Sequence, residues 1–169
     1  MHIWDSSYGF DEPHCETRAT FYGVSGIPHV QVDGVWEKSG TSGQAADYNA
    51  FQAILNQRLN VPSDLKIDLI GEPTGGNNYT VTMTLTAESG APTRSMVVHC
   101  HKTLDADSCY PNCALGYYYD THFDHMPTQT ITLAAGESET IQHTFVLNST
   151  AASNTDLLTF TCFAQEPGS

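Results

Sequence analysis

The chain has 169 residues, 40% of them hydrophobic and 15% charged, and its 19 acidic against 6 basic side chains give a formal charge of -13. That length fits one ordinary domain or two lean ones, since domains cluster near roughly 100–150 residues. The basic residues Arg18, Lys38, Arg58, Lys66, Arg94 and Lys102 are scattered, which excludes the basic patch that phosphate contacts need, so no nucleic-acid partner is expected.

A cationic ligand or a metal suits this field better. No run approaches the roughly 18 apolar residues of a membrane span, so none is expected. Met1-His2-Ile3-Trp4-Asp5 has no basic segment leading into an apolar one; a secretory signal is expected to be absent or already removed. Five cysteines are many for a cytosolic chain of this size, and they point to an extracytoplasmic place: periplasm, cell surface or secreted.

Residues 1–61 mix helix and strand signals. Met1 to Trp4 reads as a short buried strand. Asp11 is placed to cap a helix, with Pro13 in its first turn and Gly23 just past its end. His29-Val30-Gln31-Val32 and Val35-Trp36-Glu37-Lys38 flank Asp33-Gly34, a strong hairpin signal. Tyr48, Phe51, Leu55 and Leu59 recur every three or four residues and predict an apolar stripe on a helix that ends at Val61-Pro62.

After Pro62 the period changes to two. Leu65, Ile67 and Leu69 alternate, as do Tyr79, Val81, Met83 and Leu85, then Met96, Val98 and Cys100. Ile131 and Leu133, then Ile141, His143, Phe145 and Leu147, and finally Leu158, Phe160, Cys162 and Ala164 continue the pattern. Residues 64–169 therefore predict an antiparallel β-sandwich, interrupted by a long 104–127 loop. Long ordered loops tend to carry function.

The run Tyr22-Gly23-Val24-Ser25-Gly26-Ile27-Pro28-His29-Val30, followed by Asp33-Gly34 and an amphipathic helix, resembles the distal half of a thioredoxin-like domain. With the sandwich appended, the order resembles bacterial two-domain cell-envelope proteins that join a thioredoxin-like domain to an immunoglobulin-like one. The resemblance implies an α+β chain: a partial thioredoxin-like βαββα unit over 1–61 and an immunoglobulin-like β-sandwich over 64–169. It also implies that Pro28 is the family's cis-proline. The chain departs from that family in one respect: no Cys-x-x-Cys occurs anywhere, which speaks against thiol-disulfide exchange. A chain entering at what would be a central strand exposes that strand's edge, so Met1 to Trp4 is expected to be covered by the sandwich or by a second copy, giving a homo-oligomer.

Eight histidines in so acidic a chain are the main candidates for chemistry. His99 and His101 are two apart on a predicted strand and share a face; His122 and His125, with Asp120 and Asp124, lie in the long loop. Together they supply the ligands of a zinc-type hydrolytic site, with His99, His101, His122 and His125 holding the metal and Asp120 or Asp124 as ligand or general base. The plainer reading makes His99 and His101 polar residues on an exposed sheet face. His143, in phase with apolar neighbours, reads as a core or boundary histidine.

Cysteine use admits two pictures. Cys100 and Cys162 share the apolar phase of their strands and would either bond or simply pack; Cys109 and Cys113 would close a short loop around Pro111, the pairing favoured here, with Cys15 left over. Tyr117-Tyr118-Tyr119 and Phe123 would cover a sandwich end or contact protein or carbohydrate. Asn78-Tyr79-Thr80 and Asn148-Ser149-Thr150 fit the glycosylation pattern, which is short and frequent. No serine sits in a nucleophile elbow. Two functions are carried forward: a non-redox extracytoplasmic binding or structural module acting through sandwich loops, and a small metal-dependent hydrolase.

Overall fold

A computed structural model describes residues 13–26, 28–104, 107–108, 117–118, 121–153 and 155–167, with the backbone alone for 13–15, 104, 107–108, 117–118, 121–123 and 149–150. The expected strand at Met1 to Trp4, the cap at Asp11, the Ile27–Pro28 bond, Cys109, Cys113 and Asp120 lie outside the described residues. The described part is sheet-rich, with antiparallel sheets and a few helices. It divides into two compact units, one spanning Asp11–Ser63 and one built on Asp64–Ser169.

The smaller unit is a helix, a hairpin and a second helix. Helix α1 (Pro13–Phe21) stops where the sequence places a glycine. Gly23 adopts a φ of 63°, its N–H reaches Thr20 O at 3.0 Å and Val24 N–H reaches Ala19 O at 2.8 Å, the paired bonds of a Schellman motif. Strands β1 (His29–Val32) and β2 (Trp36–Ser39) pair antiparallel. Asp33 and Gly34 both take positive φ, 51° and 67°, as a type I′ turn demands.

Helix α2 (Gln44–Arg58) packs on this hairpin through a face that shares only Phe51 with the expected stripe. Phe51 meets Trp36 edge-on with centroids 5.9 Å apart, and Ile54 is the buried residue of the helix. Lys38 pairs with Asp47 at 3.1 Å and Arg58 with Asp33 at 2.8 Å, so positions 47, 51, 54 and 58 face the hairpin. Tyr48, Leu55 and Leu59 are exposed. The two ion pairs carry charged side chains onto the packed face, which a count of apolar residues alone overlooks.

The larger unit has two antiparallel sheets around one core. The first runs β10 (Ser138–Val146), β4 (Asn78–Ala87), β3 (Leu65–Gly75). In the second, β5 (Arg94–Leu104) is flanked on one side by β11 (Leu158–Gln165), and on the other by β8 (Thr121–His125) and β9 (Gln129–Leu133) in succession. Met126 N–H donates to Cys100 O at 2.8 Å and bridges the join between β8 and β9. The stretch expected as a long loop thus contributes a strand to the sheet. It also holds the short pair β6 (Asp107–Ser108) and β7 (Tyr117–Tyr118).

Alternation puts Val81, Met83 and Leu85 of β4, Ile141 and Phe145 of β10, and Met96, Val98 and Cys100 of β5 in the core. Phe160 of β11 stacks on Tyr79 at 5.2 Å and tilts against Phe145 at 5.3 Å, joining the sheets. On edge strand β3, Leu65 and Ile67 reach the core, whereas Leu69 is exposed. Gly71 lies beneath the Tyr79 ring, where a Cβ would come within 2.7 Å of a ring carbon, so a larger residue there would displace the ring. Asn148 caps the short helix α3 (Ser149–Ser153): its side-chain oxygen accepts from Ala151 N–H at 2.8 Å. No helix among the described residues is long and apolar enough to cross a membrane.

Candidate functional site on the two faces of strand β5

Strand β5 carries His99 and His101, two of the residues that the sequence nominates, and pairs with β8, which carries His122, Asp124 and His125. Its register sets Cys100 opposite Cys162 and His99 opposite Phe163 on β11, with His101 opposite His125 and Lys102 opposite Asp124 on β8. Side chains of directly opposed residues project to the same side of a sheet. Met96, Val98, Cys100 and Lys102, with Asp124, therefore occupy the core side; His99, His101 and His125, with Phe163, occupy the other.

On the outer side, His99 lies parallel to Phe163 at 4.7 Å and His101 at 5.7 Å, with the two imidazoles 6.2 Å apart. His125 follows at 6.5 Å from His101. His99 is 6% and His101 7% exposed, so the plain reading of these two as polar residues on an exposed face is corrected. They are packed aromatic surface, flat rings layered on a flat ring. The Cα of His122 stands opposite Thr103 in the ladder, after a register shift between Lys102 and Thr103. Among the described residues no group of three or more His, Cys, Asp and Glu is set to hold a metal ion.

On the core side the chemistry differs. Cys100 is fully buried and lies at disulfide distance from Cys162, with Cα atoms 4.2 Å apart, an inter-strand pairing within one sheet. Two positions along, Lys102 is 2% exposed. Its ammonium lies 3.3 Å from Asp124 Oδ2 and 5.5 Å from the Phe145 ring centroid, and the other carboxylate oxygen accepts from His125 N–H at 2.9 Å. Asp124, expected as ligand or general base for a histidine-held metal, thus turns from the imidazole face to Lys102. Its side chain remains 44% exposed.

His143 on β10 meets Phe145 edge-on at 4.5 Å. Burial holds its imidazole below the ordinary value of 6.5; Asp124 opposes that shift, while His125 and Lys102 reinforce it. His143 lies at the core boundary, as its phase predicts, whereas the burial of Lys102 is not among the sequence expectations. The available signal was its phase: Lys102 continues the series Met96, Val98, Cys100. A separate knot in the smaller unit holds Asp47, which takes the Thr41 hydroxyl at 2.5 Å and Ser42 N–H at 3.0 Å. These bonds, with Lys38, hold its carboxyl below the ordinary 3.8.

No protein-family model matches the chain, and no curated protein matches it.

Proposed function

We propose that the chain is a non-redox binding or structural module of an oxidising, extracytoplasmic compartment, combining a partial thioredoxin-like unit with an immunoglobulin-like sandwich and acting on a protein or carbohydrate ligand through the sandwich loops. One observation carries the reading: the side chains with the most chemical potential around β5 are engaged in packing. Asp124 pairs with buried Lys102, and His99 and His101 layer on Phe163. The Cys100–Cys162 distance supports the compartment. A homo-oligomer through the strand expected at Met1 to Trp4 belongs to the same reading.

A metal-dependent hydrolase is the second reading, favoured by three imidazoles on one sheet face. His99, His101 and His125 would hold the ion, and a bound zinc would supply an acidified water as nucleophile. The readings separate on metal content. Protein purified without a histidine tag should contain far less than one zinc, copper or iron per chain by elemental mass spectrometry, and should take up none on incubation. About one ion per chain, lost in His99→Ala with His101→Ala, would favour the hydrolase.

A further inference from the structure

The geometry points to a covalent link within the larger unit: we infer that Lys102 and Asp124 join as an intramolecular amide between β5 and β8, made by the folded chain itself.

Proximity and orientation come first. The two residues are Cα partners in the ladder, and the lysine nitrogen already lies 3.3 Å from Asp124 Oδ2. Lys102 is among the largest fully buried side chains of the described residues, held over the Phe145 ring. Fixing two reactants in this way replaces an encounter in solution with an intramolecular step. The environment also changes the balance between ions and amide. In water an ammonium and a carboxylate are well hydrated and persist. In the core the lysine charge has lost that hydration, so the uncharged amide is favoured relative to the pair.

The step balances without an outside reagent. After the ammonium gives up a proton, its nitrogen attacks Asp124 Cγ and forms the N–C bond. Oδ1, which holds the backbone N–H of His125 at 2.9 Å, gains negative charge in the tetrahedral adduct, and that N–H stabilises it as an oxyanion-hole donor would. The bond to Oδ2 breaks, and this oxygen leaves with two protons from the original ammonium as water. An ammonium and a carboxylate thus give one amide and one water. The exposed part of Asp124 provides the exit.

The reading is independent of whether the protein binds a ligand or a metal. It is tested on the full-length chain by intact mass after disulfide reduction. The expected mass is below the sequence mass by one water. A protease digest should show a branched peptide joining the segments that carry Lys102 and Asp124, with Lys102 resistant to trypsin. Lys102→Arg and Asp124→Ala should each restore the full mass whether or not they fold well. Full mass in folded wild-type protein, with Lys102 cleaved by trypsin, would overturn the inference. So would a loss of water that maps to one linear peptide.

Discussion

The outer faces of the two sheets begin from the same period-two pattern and end differently. On the β4 and β10 sheet the outward row is hydroxyl and amide. Thr80 pairs with Thr144 at 2.8 Å, Thr86 with Ser138 at 2.9 Å, Gln142 with Thr82 at 3.0 Å and Thr84 with Thr140 at 3.3 Å. On the β5 and β11 sheet the outward face holds threonines as well, but at its centre imidazole and phenyl rings layer together, and His99 and His101 are buried. Alternation fixes which side chains share a face, while the solvation of that face depends on the whole chain. A hydroxyl row tolerates water and partners itself; an imidazole row layered on Phe163 gains by excluding it.

The comparison can be sharpened first through the cysteines that staple β5 to β11. Opening the Cys100–Cys162 pair, which closes a sequence separation of 62 residues, should cost about 4 kcal/mol of stability in the larger unit. Urea unfolding with and without reductant reads this, and identical midpoints would mean that the cysteines are packed but not bonded. A smaller effect comes from His143. Because its folded value lies below 6.5, the unfolded chain binds the proton more readily, so stability should fall as pH drops from about 6.5 towards the folded value and level off below it. His143→Leu should flatten that slope. Unfolding midpoints across this pH range check it, and an unchanged slope in the variant would locate the titration elsewhere.

Much of the fold is legible in the residues themselves. The Asp33-Gly34 turn, the Gly23 stop, and the alternation of β4, β10 and β11 each follow from local chemistry. The face of α2 does not, because Asp47 and Arg58 reach it by pairing with Lys38 and Asp33 on the hairpin. Strand β8 hides inside an apparent loop for a similar reason. Thr121 to His125 shows no apolar alternation, and its place is set by pairing with β5. The candidate site was half readable: spacing placed His99 and His101 together, but the burial of Lys102 depends on Asp124 and on Phe145 of the other sheet. Such long-range pairings leave no local periodicity.

The central claim, that the imidazole face is structural packing, is tested most directly by measuring two double variants side by side in equilibrium unfolding. His99→Ala with His101→Ala should lose about 2 kcal/mol or more, in buffer and in chelator alike, while Thr82→Ala with Thr84→Ala should lose under about 1 kcal/mol. Equal losses for the two pairs, or a wild-type midpoint that falls to the histidine variant's when chelator is added, would contradict it.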